Sequence, residues 1–164
     1  MSIVIEMPAP VVRDVSKAVR LAQNLGRVVL FTTSGRRASA ALRGSLRVRR
    51  AATIVLRCQP TTTVHEILRR LARHFKAVPA RSGSRISSAD LYELLEKRLN
   101  DGATLLVLDR AHYLTNSAFG LLRDFYNDCR LPVLLVTDEV SAPAVQRRMS
   151  KYLTGRGMQY PHGG

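Results

Sequence analysis

The sequence predicts an α/β fold: an open, mainly parallel sheet of about five strands, covered by helices on both faces as a three-layer sandwich. Three observations lead there. Short aliphatic runs recur along the chain, stretches with helical apolar spacing separate them, and turn-forming residues fall between the two. Strands separated by helices pair in parallel through crossovers rather than through hairpins. At 164 residues and 46% hydrophobic content the chain can bury one proper core, so it is read as a single domain over 1–164. Residues 1–9 and 157–164 are expected to be flexible ends.

The elements follow in order. Val11 to Leu25 carries apolar residues at Val11, Val12, Val15, Ala18, Val19, Ala22 and Leu25, a helical stripe between Pro10 and Gly26. Val28 to Phe31 suits a buried strand, and Ala38 to Leu46 a helix after a small-residue turn. Ala52 to Leu56 is the second strand candidate. Thr63 and Glu66 form a capping box ahead of a helix with Ile67, Leu68, Leu71, Ala72 and Phe75 on one face.

Ala77 to Ile86, rich in Pro, Gly and Ser, reads as an exposed loop. Ser87 or Ser88 caps a helix through Leu99, which Asn100-Asp101-Gly102 ends. Thr104 to Leu108 and Pro132 to Val136 are the third and fourth strand candidates. The helix between them carries Phe119, Leu122, Phe125 and Tyr126. Ser141 is expected to cap a last helix that stops at Gly155. Strand order is not set by local pattern, although right-handed crossovers restrict it.

Charge narrows the function. The net charge is +14, which points toward a polyanion. Residues 1–50 hold ten Lys/Arg against two acids, whereas 88–140 hold five against nine, so the positive charge is localised rather than spread evenly. A membrane role is not expected: no apolar run approaches the roughly 20 residues of a span, and MSIVIEMPAP does not read as a leader. Cys58 and Cys129 form no C-x-x-C pair and read as reduced thiols, so the expected location is cytoplasmic. His65, His74, His112 and His162 lack ligand-like spacing, and no metal site is expected. His112 reads as a packing or hydrogen-bonded residue beside Asp109 rather than a base. No local nucleophile motif suggests a Ser/His/Asp set.

Two strand ends stand out, because open parallel sheets bind ligands at the carboxyl ends of their strands. VVLFTTSGRRASAALR, Val28 to Arg43, has the strand, turn and helix of a phosphate-binding loop. LLVLDRAHYL, Leu105 to Leu114, runs four apolar residues into Asp109, where a carboxylate could hold magnesium with the Ser39 hydroxyl.

With PTTTVHEILRRLARHF and LPVLLVTDE, these stretches resemble the AAA+ ATPases, and within them the DNA-transposition ATPases of the phage Mu B and transposon target-selector type. The likeness covers about Val11 to Tyr160 and implies a P-loop NTPase-like AAA+ core. It also implies where the chain departs. Thr32 and Arg37 stand at the two loop glycines, Ala38 at the phosphate lysine, and Arg110 at the water-activating glutamate of D-E-A-H. Arg37 obstructs the close backbone approach that glycine permits, and a guanidinium accepts no proton near neutral pH. Thr137 takes the sensor position. The chain ends at Gly164, before the small helical lid that the family usually adds, which leaves ring or filament formation undecided.

The leading expectation is therefore a catalytically inert AAA+-like protein of a transposition or mobile-element system. Gly35, Arg36, Arg37, Ser39, Asp109 and Thr137 would be a vestigial nucleotide site, with no cofactor beyond weak ATP and magnesium binding through the loop arginines. DNA would be held non-specifically by Arg43, Arg47, Arg49 and Arg50 after the loop helix and by Arg69, Arg70 and Arg73 in the next one. Aromatic residues are scarce at 5%, so base stacking is not the expected mode. Arg156 roughly matches the family arginine that reaches a neighbour's nucleotide, with Arg147 and Arg148 nearby. Two other readings stay open: an adaptor docking on an active ATPase or a transposase, and a working ATPase with an atypical loop.

Overall fold

A computed structural model of the protein describes residues 18–20, 22, 28–33, 53–78, 85–100 and 104–153. Among them, four strands form one sheet: β1 (Val28–Thr33), β2 (Thr53–Arg57), β3 (Leu105–Asp109) and β4 (Val133–Asp138). Their order is β1-β4-β3-β2, and every neighbouring pair is parallel. The helices are α1 (Val64–His74), α2 (Ser88–Leu99), α3 (Asn116–Cys129) and α4 (Ala142–Tyr152). A 3-10 turn, Ala111–Tyr113, follows β3. Residues 18–20 and 22 are helical, within the stretch where the apolar stripe predicts a helix.

Strand side chains alternate between faces, and the two faces have separate cores. Val28, Leu30, Ile54, Leu106, Val133 and Leu135 pack with the apolar sides of α1 to α4. Val29, Phe31, Leu105, Val107, Leu134 and Val136 pack with Ala18, Val19 and Ala22 on the opposite side. These are the three layers. Every residue of β3 is buried, as are the first five of β4, which is why Leu105–Leu108 and Val133–Val136 are unbroken apolar runs rather than alternating ones. Burying one such leucine contributes about 1.5–3 kcal/mol. Strand β2 lies at an edge among the described residues and does alternate: Ile54 is buried and Val55 exposed.

The strands run further toward their carboxyl ends than the apolar runs suggest. Thr32 pairs with Thr137 and Thr33 with Asp138, so polar residues continue the ladder past the last aliphatic one. Asp109 likewise belongs to β3, its carbonyl accepting from the Cys58 amide at 2.9 Å.

Three helix starts are capped by hydroxyls. Thr63, Ser87 and Thr115 accept from the amides of Glu66, Asp90 and Ala118 at 3.2, 3.1 and 3.2 Å. The capping box at α1 is only half realised. The Glu66 carboxylate pairs with Arg70 one turn on instead of returning to Thr63, because a guanidinium four residues away offers a charge-assisted bond. Ser141 stands at the start of α4 but makes no side-chain cap; its donors go to Asp138 instead. No helix among the described residues is long and apolar enough to cross a membrane.

Candidate functional site

Sheet register brings the polar strand ends onto one line. Arg57 of β2 lies beside Asp109 of β3, Asp109 beside Val136 of β4, and Thr137 beside Thr32 of β1. This is the carboxyl edge, where an open parallel sheet meets its ligand. Asp109 is only 4% exposed. A buried carboxylate requires a donor, and Oδ1 accepts from the Arg110 amide at 2.9 Å. Arg110 has φ 58° and ψ 49°, the left-handed conformation that a side chain this large seldom adopts. That turn swings the chain from β3 into the 3-10 turn, burying Ala111 and leaving Arg110 exposed.

His112 emerges from the 3-10 turn toward β4. Its Nδ1 lies 3.1 Å from the Thr137 hydroxyl and 3.7 Å from Asp138 Oδ2. Asp138 in turn accepts from the Ser141 amide at 2.7 Å and from its hydroxyl at 3.1 Å. The Ser141 amide, outweighing partial burial and helped by its hydroxyl and His112, holds the Asp138 carboxyl below the usual carboxylate value. The result is one polar network of His112, Thr137, Asp138 and Ser141 at the strand ends. The hydrogen-bonding partner of His112 is thus Thr137, one strand across from Asp109. Asp138 is absent from the residues read as functional, although aspartate three positions before serine is a turn signal.

Of the expected nucleotide residues, Asp109 and Thr137 come together at this edge on neighbouring strands. Gly35, Arg36, Arg37 and Ser39 lie outside the described residues, as do Arg43, Arg47, Arg49, Arg50 and Arg156. The arginines of α1 divide into two kinds. Arg69 and Arg73, one turn apart, are exposed. Arg70 is tied into the chain by its pair with Glu66 and by donating Nη1 to the Arg57 carbonyl at 3.1 Å. Arg57 and Lys76 add exposed positive charge at the end of β2 and just past α1.

Near the other end, Arg147 is exposed, whereas Arg148 is drawn inward. It donates to the Leu114 carbonyl and, at 3.1 and 3.0 Å, to Asn116 Oδ1, and its guanidinium lies 4.7 Å from the centre of the Phe119 ring. Burial pulls its pKa below the ordinary arginine value. Among the described residues, no group of three His, Cys, Asp or Glu side chains is placed to hold a metal ion. His65 faces Ser88, Nδ1 to Oγ at 2.9 Å, and links α1 to the start of α2.

A family model described as AAA domain matches residues 19–143. Among solved structures, the chain is similar to Drosophila ORC bound to AT-rich DNA and Cdc6, with a TM-score of 0.56 and 10% identity over 84% of this chain and 50% of that one. It is also similar to the Aeropyrum pernix ORC1 protein in complex with DNA, with a TM-score of 0.55 and 18% identity over 84% of this chain and 41% of that one. Cdc6p from Pyrobaculum aerophilum gives a TM-score of 0.52 and 17% identity over 89% and 46%. The chain thus spans half or less of each of these proteins, and likenesses this remote in sequence are likenesses of fold. No curated protein sequence matches the chain.

Proposed function

The chain belongs to the AAA domain family, and on that premise we propose that it is a DNA-associated AAA+ protein that grips phosphates without turning over ATP. The observation that carries the reading is the pair of exposed guanidiniums, Arg69 and Arg73, on α1, with Arg57 and Lys76 also exposed, in a chain of net charge +14. Side chains of this kind neutralise backbone phosphates and read no base. Two of the similar solved structures are complexes with DNA, which supports the extension to this chain.

The residues at the carboxyl edge do not fit a hydrolytic ATP–magnesium centre. Asp109 accepts the Arg110 amide at Oδ1 and keeps Oδ2, but the next side chain is a guanidinium where the attacking water needs a carboxylate. With alanine at position 38 as well, the charge that would steady the terminal phosphates is missing. Loss of one such electrostatic group typically costs about 3–4 kcal/mol of barrier. The protein therefore acts as an inert accessory factor, working in the cytoplasm in DNA transposition or another mobile-element process. It holds at most weak ATP and magnesium and meets a transposase or an active ATPase on DNA.

The test is a titration with duplex DNA at two salt concentrations, alongside calorimetry with ATP in the presence and absence of magnesium. Affinity that falls steeply with salt, with no ATP turnover, supports the reading. Hydrolysis that disappears in Asp109→Asn would overturn it.

A further inference from the structure

Strand β2 has one side paired and one side free among the described residues. The Cys58 amide donates to the Asp109 carbonyl at 2.9 Å. In a parallel ladder, successive residues alternate in which side their main-chain groups face. Ile54 and Leu56, in phase with Cys58, therefore bond toward β3, and Thr53, Val55 and Arg57 point away from the sheet. Arg70 marks the same sense independently, since its Nη1 donates to the Arg57 carbonyl at 3.1 Å. That contact and the Arg70–Glu66 pair blunt the carboxyl end of the edge. No described residue bonds to the main chain of Thr53 or Val55.

Val55 sits in the middle of this edge. It is 38% exposed, in a sheet whose other described valines and leucines are all at least partly covered. Two positions on, Arg57 is exposed on the same face as Val55, while α1, which carries exposed Arg69 and Arg73, packs on the other face with Ile54 and Leu56. The one acid of this stretch, Glu66, is already paired with Arg70.

We propose that β2 is a strand-addition site for an extended acidic segment of a partner protein. Main-chain bonds to Thr53 and Val55 would supply affinity, and carboxylates on the face that Arg57 shares with Val55 would supply selectivity. A second copy of this chain is the disfavoured occupant, because it would bring the same basic edge on a body of net charge +14. The main-chain part of the site is independent of the DNA reading, since it rests on the backbone direction of β2, whereas Arg57 is shared with that reading.

The experiment uses the full chain and three labelled ten-residue peptides, read by fluorescence anisotropy. One alternates Glu with Val and Thr, the second replaces each Glu by Lys, and the third is the acidic peptide N-methylated at alternate amides. The acidic peptide is expected to bind saturably, and each of the others at least about tenfold more weakly. Amide exchange by NMR gives a residue-level readout: the Val55 amide, fast in the free chain, slows at saturation, while that of Leu56 is slow throughout. The peptide comparison needs no variant of the chain, so loss of fold cannot stand in for loss of the edge. The proposal is overturned by absence of binding, by equal affinity of the N-methylated peptide, by an unchanged Val55 amide at saturation, or by competition between the peptide and self-association of the chain.

Discussion

The Nδ1 atom of His112 and the hydroxyl of Thr137 meet at 3.1 Å, joining the turn after β3 to the end of β4 at the ligand edge of the sheet. Thr137 is 2% exposed, so its hydroxyl has exchanged water for protein partners. Thr137→Val keeps the shape and removes the hydroxyl, leaving the imidazole nitrogen without this partner. The expected loss is about 1–2 kcal/mol of unfolding free energy, read as a lower urea midpoint at unchanged slope. An unchanged midpoint would mean that the bond contributes nothing to stability.

Asp138 makes the fold sensitive to acid. Its pKa lies below the ordinary 3.8, chiefly through the Ser141 amide. A depressed folded value means that the stabilisation is fully present above 3.8 and disappears as pH falls through the folded value. The side chain is 47% exposed, so solvent screening keeps the effect to roughly half a kcal/mol or less. Asp138→Asn should flatten the difference in urea midpoint between neutral pH and pH of about 3, measured on both proteins. An identical difference in the two would remove Asp138 from the acid limb.

Much of this fold was legible because the central strands are buried on both faces. LLVL and PVLLV carry no alternation to misread, and α1 buries the residues its helical spacing selects, Ile67, Leu68, Leu71 and Ala72. The order β1-β4-β3-β2 was not legible, since crossovers rather than local pattern decide it. The polar network was hidden for a related reason: His112 and Thr137 are 25 positions apart, and only the pairing of β3 with β4 brings them together. Arg110 gave no sign of its left-handed backbone, because arginine has no preference for it. Arg70 looked like its neighbours Arg69 and Arg73 in sequence. Its different fate comes from Glu66 and the Arg57 carbonyl.

Arg148 should behave as a structural residue. It fastens α4 to the start of α3 through Asn116 and the Leu114 carbonyl, and it covers the Phe119 ring. Arg148→Ala leaves a buried carbonyl without this donor and is expected to cost about 2–3 kcal/mol by urea unfolding. Arg148→Lys keeps the charge but not the planar fork, and should recover less than half of the loss. Full recovery by lysine would show that charge alone matters there.

The thiols should be slow to react in the native protein. Burial, with Asp109 adding to it, raises Cys58 to about 12, and burial raises Cys129 to about 11. Each is 1% exposed. Neither thiolate nor access is available at pH of about 8, so iodoacetamide should label both residues only at the rate of unfolding, and readily in denaturant. Rapid labelling of Cys58 in the folded chain would show that the end of β2 opens locally.

Arg69 and Arg73 offer the sharpest division between a DNA-binding face and an ordinary charged surface. Each phosphate neutralised releases condensed counterion, so the slope of log affinity against log salt counts the contacts, at about 0.9 each on duplex DNA. Arg69→Ala and Arg73→Ala should each reduce that slope by about one and weaken binding equally across unrelated sequences. Arg148→Ala removes the same formal charge from a side chain already engaged within the protein, so its slope should match that of the parent chain. A simple net-charge effect would lower all three alike. Equal slopes for Arg69→Ala, Arg73→Ala and Arg148→Ala would therefore take the phosphate contacts away from α1.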